Sequence, residues 1–201
     1  MQASFVGPMA ASMAGNDPTI SKQKDPSVYD IIADPVLKKN LWASCFVWLL
    51  SAFNFYLITF YLKNIPGSVY LNSVLFALAD MCAFLSSGII LKFFKIHQGL
   101  TLSYGLSMIG GCCYLVFYKS DLPWVIPVLL CVRVGGAMSF NIGYVSVARL
   151  FPTRFVATVF GLVNLVANFF TIAAPMVAEM GEPIPFVWFV CNTIFGLYFC
   201  N

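Results

Sequence analysis

The run Ser68-Val-Tyr-Leu-Asn-Ser-Val-Leu-Phe-Ala-Leu-Ala-Asp-Met-Cys-Ala-Phe-Leu-Ser-Ser-Gly-Ile-Ile-Leu91 decides the fold class. It carries a single charged side chain, Asp80. A helix needs about 20 largely apolar residues to cross a bilayer core, and this run is long enough. It is too long and too evenly apolar for a barrel strand. An open sheet would leave backbone groups unpaired in lipid, so a helix is the expected form. Working outward, similar runs occupy 41–61, 100–117, 122–147, 155–177 and 184–200, the last of them short. Brief polar stretches separate them. The sequence thus predicts an all-α, polytopic membrane protein with six transmembrane helices.

Composition agrees. Of 201 residues, 60% are hydrophobic and 9% charged, against about 45–50% and about 25% in soluble domains. A net charge of +3, without a basic stripe or zinc-finger spacing, gives no footprint for nucleic acid. All seven cysteines lie in apolar runs, where Cys packs as a small apolar residue. His97 is the lone histidine, so neither metal nor other cofactor is expected. There is no serine nucleophile elbow, no paired carboxylates and no phosphate-binding loop, which argues against an enzyme and against an ATP-driven pump.

Residues 1–40 include Pro8, Gly15, Asp17, Pro18, Lys22, Lys24, Asp25 and Pro26. That composition predicts a flexible cytoplasmic segment, followed by the bundle over 41–201. Lys22, Lys24, Lys38, Lys39, Lys92, Lys95, Arg149 and Arg154 fall on the N-terminal side, and only Lys63 and Lys119 on the other. The positive-inside rule then puts the N-terminus in the cytosol, and six crossings return the C-terminus there. Trp42 and Trp124 sit near segment ends, as interface anchors do.

Ionisable residues inside a membrane are costly and mark function or structure. Asp80 and Arg133 lie at matched depth, about 17–18 Å in at about 1.5 Å per residue, which suggests a pair. It is either a static clamp between helices or a gate that forms and breaks. Gly135, Ser139 and Gly143 recur every four residues and predict a close helix approach. Arg133, Ala137, Phe140 and Tyr144, with Asn141 at the edge, form another face, read either as cavity lining or as bundle core. Gly161, Asn164, Asn168, Thr171 and Pro175 share one face, and the two amides need a neighbouring helix or water. Phe55 and Tyr56 could hold an amphiphilic or cationic ligand, partly by cation–π attraction, or simply pack.

The run Tyr144-Val-Ser-Val-Ala-Arg-Leu-Phe-Pro-Thr-Arg-Phe-Val-Ala-Thr-Val-Phe-Gly161 resembles the signature between helices ten and eleven of the organic cation/anion transporter-like branch of the major facilitator superfamily. Ser68-Val-Tyr-Leu-Asn72, Asp80, Arg133 with Gly135, and Pro175 fall in register with other landmarks of that branch. The resemblance implies the C-terminal six-helix half of a transporter. It implies substrate-cavity roles for Phe55, Tyr56, Phe140, Asn141 and Asn168, to which the helix faces above add Tyr144 and Asn164, and a gating pair in Asp80 and Arg133. It also implies a cytoplasmic signature loop at Arg149, Pro152, Thr153 and Arg154. Four features depart from the pattern, one of them the loop Lys92–Gly99, which lacks the usual Gly-Arg-Arg element. Arg149 stands for the signature glutamate, Val156 for its arginine, and Asn168 for the acid of cation-selective members.

The expected function is secondary transport of a small organic solute, an organic ion, by alternating access between two halves. The expected partners are the lipid bilayer, the solute, and a missing N-terminal six-helix half or another subunit. The alternative is a degenerate half-transporter serving as a structural subunit of a larger membrane complex. The plasma membrane is the expected location. An organelle membrane, for example the mitochondrial inner one, is the alternative.

Overall fold

The computed structural model describes residues 28–65, 67–117 and 125–200. The described residues form helices and contain no strand. In chain order the helices are α1 (Val28–Ala33), α2 (Pro35–Tyr61), α3 (Val69–Phe93), α4 (Ile96–Phe117), α5 (Val125–Leu150), α6 (Thr153–Thr171), α7 (Ala174–Ala178) and α8 (Ile184–Cys200). Five spans are long and apolar enough to cross a membrane: Pro35–Asn64, Val69–Phe93, Ile96–Phe117, Val125–Leu150 and Thr153–Ala178. The shorter apolar helix Ile184–Cys200 packs with them.

Most helix ends shift by a few residues from the expected bounds, and two differences change the layout. The segment assigned as flexible up to residue 40 is helical from Val28, with one interruption at Asp34. The reason is local. Asp34 accepts hydrogen bonds from the amides of Val36 (2.9 Å) and Leu37 (3.4 Å). Pro35 then occupies the first helical turn, where its missing N–H costs nothing. Ile31 of α1 is fully buried among Leu41, Cys45, Phe151 and Phe155, which ties the short helix to the bundle. The second difference lies in the run 155–177, which breaks at Ile172–Ala173 into α6 and α7. Pro175 has no N–H to give to the carbonyl one turn back, so the helix resets there. Trp124, Lys119, Lys22 and Lys24 lie outside the described residues.

The layout is set by which helices touch. Helices α2 and α5 are central. Helix α3 packs on α5, and α6 packs on α2. Helices α4 and α8 pack on each other and close against α5 and α2. Lipid tails are as apolar as Leu, so close packing and polar contacts hold such helices together rather than burial from water. Gly135 shows the packing term. A Cβ there would lie 2.4 Å from Ser107 Oγ and 2.7 Å from the Ser107 backbone nitrogen, so α4 and α5 meet at this glycine. Gly143, two turns on, abuts the Trp48 ring instead. The predicted small-residue stripe therefore serves two neighbours, α4 and α2, because it drifts around the helix as it rises.

Polar contacts close the side away from α3 and α6. Ser51 and Tyr104 share a hydrogen bond of 2.7 Å between α2 and α4. Asn54 donates to Thr193 Oγ1 (3.2 Å) between α2 and α8. At the end opposite Lys92 and Arg149, the Tyr61 and Tyr114 hydroxyls lie 2.7 Å apart and both donate to Glu182. Beside them Lys63 pairs with Glu179 at 2.7 Å. That lysine donates a hydrogen bond and a positive charge, and both hold the Glu179 carboxyl below its usual range.

Candidate functional site

Arg133 of α5 and Asp80 of α3 form a two-pronged ion pair. Arg133 Nε donates to Asp80 Oδ1 and Nη2 to Oδ2, each at 2.7 Å. Nη1 donates to the Phe55 carbonyl (3.1 Å) and to Thr59 Oγ1 (2.6 Å), both on α2. One guanidinium thus ties three helices. Parallel N–H···O bonds between charged groups are the strong, directional kind. The Arg133 side chain is 6% exposed and that of Asp80 19%. The residual exposure comes from a cleft that Thr59, Leu62, Ser73, Phe76 and Ala77 line together with the pair.

The guanidinium also stacks on Phe55, 3.9 Å from the ring centroid, within cation–π range. From there aromatic rings run without a gap. Phe55 stacks on Phe140 at 5.1 Å. Phe140 meets Tyr144 edge-on at 5.2 Å and Trp48 at 5.7 Å. Trp48 meets Tyr144 at 4.2 Å, and both meet Phe160 of α6 at 5.8 Å. Tyr56 sits edge-on to Phe55 at 5.6 Å. These separations and tilts are favourable for ring quadrupoles. The result is a wall across α2, α5 and α6 that starts at the ion pair. Phe55, Tyr56, Phe140 and Phe160 are half-buried and Tyr144 is 39% exposed. Trp48 is buried behind them.

The structure brings Phe55, Tyr56, Phe140 and Tyr144 together with the Asp80–Arg133 pair. It separates the amides from them. Asn141 donates to Ser87 Oγ and so bridges α5 to α3. Asn164 donates to the Phe160 carbonyl (2.9 Å), and Thr171 to the Ala167 carbonyl (2.7 Å), both within their own helix. These two need no neighbouring helix, because a short polar side chain can bond the carbonyl one turn back. Asn168 is exposed on α6. Arg149, Pro152, Thr153 and Arg154 form the turn between α5 and α6, all exposed, pinned by the buried rings of Phe151 and Phe155. Arg154 lies over the Phe155 ring at 4.5 Å. No described carboxylate pairs with Arg149 or Arg154.

Trp48 and Phe160 escaped the sequence reading as site residues. Trp48 and Phe160 lie in apolar runs where aromatic residues are common. A helical wheel of 41–61 would have set Trp48 on the Phe55 face, seven residues earlier.

Comparison with known proteins matches the chain to the family model of the Major Facilitator Superfamily over residues 7–175. The chain belongs to the major facilitator superfamily. Its curated relatives lie in the branch suggested by the 144–161 signature. Human solute carrier family 22 member 13 is 31% identical over 76% of this chain and 28% of its own length. Organic cation/carnitine transporter 4 of Arabidopsis thaliana is 26% identical over 85% of this chain and 33% of its own. Organic anion transporter 3 of Sus scrofa is 26% identical over 84% of this chain and 31% of its own. The chain thus spans about a third of the length of these relatives. These relatives are named as a solute carrier and as organic cation and organic anion transporters, not as enzymes.

Proposed function

We propose that the helices over 35–200 are one half-bundle of a secondary transporter that moves a small organic ion by rocking-type alternating access. The observation that carries this reading is the aromatic wall headed by a buried, bidentate ion pair. A second six-helix half would face α2, α3, α5 and α6 and supply the other wall. Rings beside a guanidinium suit a flat or amphiphilic organic ion. Asp80 neutralises that guanidinium, and Asn168 adds an amide, so this half presents no free charge along the wall. The Asp80–Arg133 pair then acts as a gate whose breaking releases α2 from α3. In this reading the termini are cytosolic and the protein sits in the plasma membrane.

The test is flux through the full native protein in proteoliposomes. Tetraethylammonium, p-aminohippurate and carnitine serve as cation, anion and zwitterion probes. Saturable uptake of one probe, lost in Phe140→Ala and Asp80→Asn while both variants still reach the membrane, supports the carrier. Normal flux in Asp80→Asn removes the gate. No flux of any probe, together with purification in a fixed stoichiometry with other subunits, moves the protein to the structural role.

A further inference from the structure

A second site lies away from the aromatic wall, on the outer face of α4. The α3–α4 connection is only Phe94 and Lys95 wide, yet the two helices diverge beyond it. They touch where Gly99 meets Ile90 and Leu91. One turn and a half further, Gly105 has nothing within 4 Å of a Cβ position. The divergence leaves an open trough along one face of α4, from Phe94 to Ile109. The lining changes along its length. His97, Gln98 and Thr101 stand at the mouth, and Leu102, Leu106 and Ile109 line the body with Gly105 as its floor. From His97 to Ile109 the trough runs about 18 Å at about 1.5 Å per residue. That is close to one leaflet of a hydrocarbon core about 30 Å thick.

Charge identifies the head group. Lys92 and Lys95 stand on either side of Phe93 and the lining residue Phe94 in the chain, both are exposed, and the Lys95 backbone N–H donates to Gln98 Oε1 at the mouth (3.1 Å). Lys92 lies 5.8 Å from the Phe93 ring centroid, and no described carboxylate pairs with either lysine. The four described carboxylates with described side chains are Asp34, Asp80, Glu179 and Glu182. Asp34 caps α2, Asp80 binds Arg133, Glu179 binds Lys63, and Glu182 accepts from two tyrosines. An apolar trough of leaflet depth with two unneutralised cations at its mouth is complementary to a phospholipid with an anionic head group.

We infer that this trough is a binding site for an anionic glycerophospholipid. One acyl chain lies over Gly105, and the phosphate sits between Lys92 and Lys95 with His97 and Gln98 within reach. The site is independent of the transport reading, since none of its residues belongs to the aromatic wall or the ion pair.

Native mass spectrometry of the detergent-purified protein tests it, titrating dioleoylphosphatidylglycerol against dioleoylphosphatidylcholine. The expected result is one preferentially retained phosphatidylglycerol. Each lysine near the surface contributes about five-fold in apparent affinity, so Lys92→Gln with Lys95→Gln loses about 25-fold and erases the preference. Gly105→Trp fills the trough without a clash, because the space above it is open. It lowers retention of both lipids while thermal unfolding stays unchanged. Equal retention of the two lipids by the unaltered protein overturns the inference, and so does retention that neither variant changes. A dimer broken by Gly105→Trp would assign the trough to a second copy and also overturn it.

Discussion

The Asp80–Arg133 pair makes the sharpest energetic prediction. Removing one partner of a buried pair costs about 3–5 kcal/mol, because the other charge stays behind without compensation. Arg133 is 6% exposed, whereas Asp80 is 19% exposed and opens onto a cleft. Water in that cleft relieves part of the penalty, so the low end, about 3 kcal/mol, applies to Asp80→Leu and to Arg133→Met alike. Replacing both with apolar residues removes both desolvation costs. The double variant loses the Phe55 and Thr59 contacts of Nη1 and the stack on the Phe55 ring, and costs about 2 kcal/mol. The coupling energy is then several kcal/mol, well above the scatter of additive sites. The assay is reversible unfolding in mixed detergent–SDS micelles, read by the fluorescence of the four tryptophans, among them the buried Trp48. Additivity of the two single costs to within about 0.5 kcal/mol refutes the argument, because it would mean that the pair does not act as a unit. The charge swap, Asp80→Arg with Arg133→Asp, recovers less than half of the loss. A carboxylate at 133 would face the Phe55 carbonyl oxygen, which cannot donate to it.

Two further substitutions probe the packing. Gly135→Ala drives a Cβ into the Ser107 backbone and costs about 1–3 kcal/mol. Gly136→Ala meets nothing and stabilises by up to about 1 kcal/mol through helix propensity; equal effects of the two in the same unfolding assay would contradict the close approach of α4 and α5. Trp48→Ala removes the ring that touches Phe140, Tyr144, Phe160 and Gly143 and costs about 3–5 kcal/mol. It also loosens Tyr144, seen as a raised near-UV dichroism change per tyrosine on heating.

The spans were legible because lipid enforces one rule everywhere: a long apolar run must be a helix. Asp80 and Arg133 were legible for the same reason, since a charge in such a run needs a partner at its own depth. What the sequence left open is how each helix rotates toward its neighbours. The four-residue spacing of Gly135, Ser139 and Gly143 marks a small face, but α4 meets one end of it and α2 the other. Asn141 looked like an edge of the Phe140 face, yet it turns to Ser87 on α3, because an amide in lipid takes the nearest partner. Of the two amides expected to need a neighbouring helix or water, Asn164 instead donates to the carbonyl one turn back on its own helix. The start of α2 was readable in principle. Asp34-Pro35 is a helix-start signal, masked by the polar composition around it.

Asn168 separates lipid from a polar neighbour at the edge of the bundle. It shares a stripe of α6 with Phe160 and Asn164, and it is exposed, with no side-chain hydrogen bond among the described residues. An amide left unpaired in hydrocarbon costs several kcal/mol, so lipid alone is a poor neighbour for this stripe. Gly105 on α4 is the control. It is also open, but its trough is lined mainly by apolar side chains. If the α6 stripe borders a solute pathway in the full native protein, Asn168→Cys reacts with a membrane-impermeant maleimide above the background of the native thiols. Gly105→Cys does not, and a transported solute slows the first reaction. The gain should be at least several-fold, because a thiolate forms readily in water and poorly in hydrocarbon. Equal silence at both positions would place the α6 stripe against acyl chains and remove the pathway from that face. Equal reaction at both would show the bundle open to water on every side, and the distinction between wall and trough would fall with it.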